Sequence, residues 1–183
     1  MTWSIRDAKP SEAPRLATFG AMLFRQAYGD THPEPTLSDY LASSFAIPRV
    51  ARTLEDPAST MIVVESSGGT WIGYAELHQG APTARTTMIT NPLPGTTPIE
   101  IVRFYVDKEW HGRGVAQALM RACEDRARIS DCDVIWLQTW QTAAQAIRFY
   151  KKEGFEIYGT AIFNFGDRAD ADFILARKLT KTV

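Results

Sequence analysis

Residues 100–119 constrain this chain more than any other stretch, because three local signals follow one another there without a gap. Glu100-Ile101-Val102-Arg103-Phe104-Tyr105-Val106 is a β-branched and aromatic run, which reads as a strand. Asp107-Lys108-Glu109-Trp110-His111-Gly112-Arg113-Gly114 is a polar turn with two closely spaced glycines. Val115, Leu119, Ala122 and Cys123 then recur at helical spacing. The first N–H groups of a helix have no intrahelical partner, and the macrodipole favours negative charge there. Gly112 and Gly114 reach backbone angles closed to other residues and leave room for a phosphate, and Arg113 adds a cation. A pyrophosphate cradle and an ordinary strand-to-helix turn with a glycine cap both fit these local features.

The rest of the chain narrows the class. Its 183 residues suit one domain over 1–183, with enough chain for a substantial core. A net charge of −1 lacks the basic footprint of a nucleic-acid binder. Cys123 and Cys132 are the only cysteines, which suits a reduced, intracellular protein, and the expected location is the cytoplasm. The N-terminus does not read as a signal peptide, and no apolar run is long enough to span a bilayer. His32 and His78 are isolated, so no metal site is expected.

In order, the pattern predicts a strand at 3–6 and a helix at 11–28, opened by a Ser11 cap and closed by Gly29. Helical spacing resumes at 36–45 and 48–55. Strands at 60–64 and 71–78 flank a hairpin turn at Ser66-Ser67-Gly68-Gly69-Thr70. Gly80 to Pro98 reads as one long irregular loop with prolines at 82, 92, 94 and 98. After residues 100–119, with the helix ending near Ser130, come a buried strand at 134–139, a helix at 143–153 stopped by Gly154, and strands at 155–162 and 171–176. This order implies an α/β (α+β) chain with a mixed sheet and helices on both faces.

Three ligand classes use a glycine cradle. A nucleoside triphosphatase needs a loop ending in Gly-Lys-Ser/Thr, which is absent. A dinucleotide dehydrogenase needs a third Gly or Ala where Gln117 sits, in the first βαβ unit rather than past mid-chain. Coenzyme A remains. The segment His111-Gly112-Arg113-Gly114-Val115-Ala116 resembles the acetyl-CoA signature of the GNAT superfamily, Gln/Arg-x-x-Gly-x-Gly/Ala. Ala146-Ile147-Arg148-Phe149-Tyr150, then Lys151-Lys152-Glu153-Gly154-Phe155, resembles the family's second motif. Tyr40-Leu41, Phe45, Ile162-Phe163, Gly166-Asp167 and Asp172-Phe173-Ile174-Leu175-Ala176 are similar to the bacterial spermidine/spermine-type acetyltransferases. Two departures stand out: His111 takes the usual Gln/Arg place, and Ala143 stands where many members carry an Asn that touches the cofactor. Gln141 and Gln145 are the candidates to replace that contact.

The resemblance implies a GNAT fold, with a mixed central sheet of about six to seven strands flanked by helices. It implies a splay between the strands near 99–106 and 134–139. It further implies acetyl-CoA as cosubstrate, held by Phe104, Tyr105, Val106, His111, Gly112, Arg113, Gly114, Val115, Ala116, Ala146, Phe149 and Tyr150. The reaction it implies is direct attack of a primary amine on the acetyl thioester in a ternary complex. The acceptor would be a polyamine or another small amine. The alternatives are peptide or protein N-terminal acetylation, or a non-catalytic acyl-CoA-binding regulatory domain, to which Ala143 gives weight. An alkylammonium has a pKa of about 10.4, so a base must deprotonate it; Glu100 is the candidate and Glu76 the reserve. A rim carboxylate paired with Arg103 is the plain alternative for Glu100. Tyr150 is the candidate acid for the leaving thiolate, with a core tyrosine beside Phe149 as its plain alternative, and Val106 N–H is the expected donor to the thioester carbonyl. The Tyr28–Tyr40 region, the Gly80–Pro98 loop and the last hairpin are expected to shape the acceptor site. Dimers are common in the family, which makes a homodimer the expected assembly. Neither nucleic acid nor membrane is an expected partner.

Overall fold

Helix α1 (Ala13–Tyr28) starts one residue later than a Ser11 cap would place it. Pro10-Ser11-Glu12 form a single 3-10 turn instead, without a side-chain cap bond from Ser11. Glu12 fixes this turn. Its carboxylate accepts from Lys9 N–H at 2.8 Å and from both terminal nitrogens of Arg6 at 2.7 and 2.8 Å. A carboxylate with two guanidinium bonds and one backbone bond is a stronger organiser than a serine hydroxyl.

The computed structural model describes residues 2–82, 87–165 and 168–180. Gly166-Asp167 of the C-terminal resemblance and residues 83–86 of the long loop lie outside the described residues. After β1 (Trp3–Asp7) and α1 come α2 (Glu34–Ser44), α3 (Ile47–Glu55), β2 (Ser59–Ser66), β3 (Trp71–Gln79) and β4 (Thr87–Ile89). There follow β5 (Pro98–Val106), α4 (Val115–Ile129), β6 (Val134–Trp140), α5 (Ala144–Lys152), β7 (Glu156–Phe165) and β8 (Arg168–Lys178).

The fold is a mixed α/β sheet flanked by helices, as expected, but the sheet has eight strands rather than six or seven, in the order β1-β2-β3-β5-β6-β8-β7-β4. The unexpected strand is β4, three residues inside the loop read as irregular, paired antiparallel with β7 from Thr87↔Ala161 to Ile89↔Gly159. Three residues are too few to show a period of two. β5 and β6 are parallel, and their ladder runs from Pro98↔Val134 to Ile101↔Leu137. β6 stays paired with β8 as far as Trp140↔Asp172, while β5 runs on to Val106.

The chain divides into two compact units, residues 1–77 with 103–123, and residues 78–102 with 124–183. In the first, Leu16, Leu23, Ile62, Ile72, Leu119 and Met120 are almost fully buried. In the second, Val134, Trp136, Ala161, Ile174 and Ala176 form the core cluster, with Leu93 and Tyr158 packed on it. Trp136 Nε1–H donates to Gly80 O at 2.8 Å, and the Asp133 carboxylate accepts from Thr96 and Thr97 N–H at 2.9 and 2.8 Å. These bonds fix the chain leading into β5.

Gly73 sets how closely the end of β5 approaches β3. A Cβ there would stand 3.0 Å from Tyr105 O and 3.3 Å from a Val106 methyl. Gly73→Val is expected to push this end of β5 outward and destabilise the protein by about 1–3 kcal/mol, the usual range for overpacking. Urea unfolding checks it; an unchanged midpoint would show that β5 yields freely.

Candidate active site

β5 ends at Val106, and the turn after it is tied down at both ends. Asp107 N–H donates to Ile72 O at 2.9 Å, and the Asp107 carboxylate accepts from Glu109 N–H at 3.1 Å, opening a 3-10 turn at Lys108–Trp110. His111 Nε2 lies 2.9 Å from Val106 O. A carbonyl only accepts, so this nitrogen carries the hydrogen. His111 thereby folds the turn back onto its strand, a task the signature position did not announce. Gly112 and Gly114 have φ of 73° and 81°. A Cβ on either would meet nothing within 4 Å. The glycines are needed for their angles, then, and the space over them is open.

Ala118 N–H donates to Gly114 O at 3.1 Å, the first turn of α4. The N–H groups of Val115, Ala116 and Gln117 precede that bond and have no intrahelical acceptor. Val115, Leu119, Met120 and Cys123 are buried and hold the helix, while Gly112, Arg113 and Gly114 are exposed. The Arg113 guanidinium stands 5.3 Å over the Trp110 ring. The arrangement is an open, cationic helix start able to hold an anion.

Strand alternation puts Arg103 and Tyr105 on one face of β5 and Glu100, Phe104 and Val106 on the other. The Arg103 Nε donates to Glu76 at 3.0 Å, the two side chains being 12% and 14% exposed. Its guanidinium also lies 4.2 Å over Phe45. The Glu76 carboxylate is therefore committed to a guanidinium, which weighs against it as the reserve base. Beside this pair Tyr105 meets Tyr74 at 5.9 Å and Phe24 at 6.2 Å, and Phe24 meets Tyr28 at 4.5 Å and Tyr40 at 4.7 Å. Burial raises both Tyr74 and Tyr105 above the ordinary phenol range, so these hydroxyls stay protonated. Sequence reading named the Tyr28–Tyr40 region but missed Phe24, Tyr74 and the partner of Arg103, which depend on cross-strand neighbours.

In the second unit, Glu100 is half-buried, with Trp136 as its register partner. Tyr150 is buried on α5 with edge-on rings at 5.4 Å (Phe149) and 5.7 Å (Phe155). Ala146 and Phe149 are half-buried on the same helix. Among the described residues no group of three or more His, Cys, Asp or Glu is placed to hold a metal, and no helix is long and apolar enough to cross a membrane.

Against this geometry the profile of the Acetyltransferase (GNAT) family matches residues 22–155. The chain belongs to that family. It is an acyltransferase, and its cosubstrate is acetyl-CoA. An uncharacterized N-acetyltransferase of Mycobacterium tuberculosis (strain ATCC 25618 / H37Rv) is 27% identical to it over 169 residues, 92% of this chain and 99% of that one. A spermine/spermidine N(1)-acetyltransferase of Bacillus subtilis (strain 168) is 30% identical over 63 residues, 34% of this chain and 41% of that one. The crystal structure of PaiA N-acetyltransferase from Thermoplasma acidophilum in complex with coenzyme A has the same fold, with a TM-score of 0.72 and 17% identity over 97% of this chain and 99% of that one.

One further feature of this acetyltransferase escaped the sequence reading. Asp170 and Asp172 on β8 are 9% and 7% exposed. A strand that alternates acidic with apolar residues normally turns its acids to water. Here Asp172 stands opposite Trp140 on one side and Ala161 on the other. Gln141 donates its amide to Asp172 O at 3.2 Å. Burial, with Asp170 adding to it, pushes the Asp172 carboxyl up to about 7 from 3.8. Between those values the folded chain keeps a proton that the unfolded chain releases, so this group's contribution to stability falls as pH rises. Asp172→Asn is expected to be more stable than the parent at about pH 8, by roughly 1–2 kcal/mol after allowance for solvent screening. The gap should close towards about pH 4. Urea unfolding at both pH values checks it; a gap independent of pH would show that the carboxyl is not desolvated.

Proposed function

We propose that this acetyltransferase moves the acetyl group of acetyl-CoA to the primary amine of a small molecule, by direct attack in a ternary complex. The observation that carries the reading is the open helix start with two glycines at positive φ, in a chain of the GNAT family. The diphosphate of the cosubstrate would rest on the N–H groups of Gly112–Ala116, with Arg113 beside it and His111 holding the turn. Acetyl-CoA supplies the reactive thioester. The backbone of Phe104–Val106 would align it, with Val106 N–H donating to the carbonyl oxygen. Tyr105 turns its ring to the aromatic cluster, so its part in this is through its backbone. Ala146 and Phe149 would line the path of the cosubstrate along α5.

Glu100 takes a proton from the acceptor ammonium through water. The free amine attacks the carbonyl carbon, the C–N bond forms, and the C–S bond breaks. Tyr150 gives its hydroxyl proton to the departing thiolate, and the second proton, shed by the new amide nitrogen, restores the phenol through solvent. Glu76, the reserve base, is bonded to Arg103. A polyamine is the favoured acceptor. The support is the local similarity to a spermine/spermidine acetyltransferase and the C-terminal resemblance around Asp172.

The deciding experiment is thiol release from acetyl-CoA against polyamines, amino acids, peptides and aminoglycosides. Release with polyamines alone is expected; release with none would favour a CoA-binding regulatory domain. Tyr150→Phe is expected to lower kcat by about 10²-fold or more, the usual scale of general-acid catalysis, and an unchanged kcat would remove Tyr150 from that role. Glu100→Gln should flatten the rise of rate with pH, and an unaltered profile would exclude it as base. Gly114→Val forces a β-branched residue to positive φ, at about 1–3 kcal/mol. It should weaken coenzyme A binding about tenfold or more. Calorimetry showing parent affinity would remove the cradle.

A further inference from the structure

The turn that carries the cradle balances its own charges. From 107 to 114 it holds two acids, Asp107 and Glu109, and two bases, Lys108 and Arg113, with His111 between them. The Asp107 carboxylate accepts from Glu109 N–H at 3.1 Å, and the Arg113 guanidinium stands 5.3 Å over the Trp110 ring. The contacts that neighbouring elements make with the turn are uncharged. Ile72 O on β3 accepts from Asp107 N–H at 2.9 Å, and Gln26 Oε1 on α1 accepts from Lys108 N–H at 3.4 Å. On the same stretch of α1, Arg25 is paired with Glu34 at 2.6 Å. Of the side-chain types in this turn, only an imidazole ordinarily changes charge between about pH 5 and 8. Whether the turn is neutral or cationic therefore depends on His111.

The geometry separates two tasks of this side chain. Its Nε2–H donates to Val106 O at 2.9 Å, and the neutral and the charged ring both carry that hydrogen. The lone pair of the neutral ring is then on Nδ1, and Nδ1 is where the second proton goes. Protonation leaves the bond that folds the turn in place and adds a full charge to an exposed ring. The next residue is Gly112, the first of the cradle. Consecutive Cα atoms lie about 3.8 Å apart, so a charge on the ring reaches an anion at this backbone within a Debye length of about 8 Å. We propose that His111 is a proton-gated cation of the coenzyme A cradle, holding Val106 O through Nε2–H while protonation at Nδ1 strengthens the grip on the diphosphate as pH falls.

This inference rests on the placement of the diphosphate at Gly112–Ala116. The probe is 3′-dephospho-coenzyme A, because a phosphate monoester with a second pKa of about 6 would titrate in the same range. Calorimetry of the full chain from about pH 5.5 to 8.5 should show the Kd falling about three- to tenfold towards low pH. Binding near neutral pH should take up protons, read from the heats in two buffers of different ionisation enthalpy. Gln and Arg can both donate to Val106 O, one neutral and one always charged. His111→Gln is expected to bind with a pH-independent Kd and no proton uptake, and His111→Arg to keep the low-pH affinity of the parent throughout. The slope decides rather than the absolute affinity, so a turn loosened by the substitution does not spoil the comparison. Should neither variant bind, 15N NMR of the parent decides: the probe must raise the doubly protonated fraction of His111 at fixed pH. A flat Kd in the parent, an unchanged slope in His111→Gln, or an unmoved His111 signal overturns the proposal and leaves the cradle standing. A parent that does not bind the probe at any pH removes the cradle and this role together.

Discussion

Two backbone angles, φ of 73° at Gly112 and 81° at Gly114, let the chain turn from β5 into α4 without a side chain over the helix start. Any residue with a Cβ would carry strain at either place. Everything assigned to the cosubstrate depends on that turn, because unpaired helical N–H groups bind an anion only if the anion can reach them. The turn is held from both sides. His111 and Asp107 bind it to β5 and β3, and buried Val115 and Leu119 hold the helix behind it. The motif is thus a backbone device. Its side chains contribute rigidity more than contacts, which is why His111 can stand where Gln or Arg is usual.

β5 serves two purposes through its alternation. One face carries Arg103 and Tyr105 into a protonated aromatic cluster and a mostly buried ion pair with Glu76. The other carries Glu100, Phe104 and Val106. A one-residue slip would exchange these faces, so register must be fixed. Close approach at Gly73, the Asp133 clamp on Thr96 and Thr97, and the parallel pairs with β6 fix it.

Much of this was legible in the sequence. The order of elements, the glycine turn and the two family motifs depend on residues near one another in the chain, where periodicity and turn chemistry act. What was not legible depends on partners set by register. Glu12, not Ser11, organises the start of α1, because Arg6 reaches it from β1. β4 exists because β7 offers it an edge, not because Thr87-Met88-Ile89 announces a strand. Arg103 takes Glu76 on the neighbouring strand, a pairing that no linear spacing decides. Gln141 turns its amide to the backbone of β8, a partner set by the pairing of β6 with β8.

Asp172 shows the limit most clearly. Its flanking sequence reads as an alternating strand, in which an acid belongs on the wet face. Register instead places it between Trp140 and Ala161, in the same row as Asp170. Desolvation and the neighbouring carboxyl both favour its protonated form. Asn in the same place would keep the shape without the charge, so the cost of this carboxyl is electrostatic rather than steric.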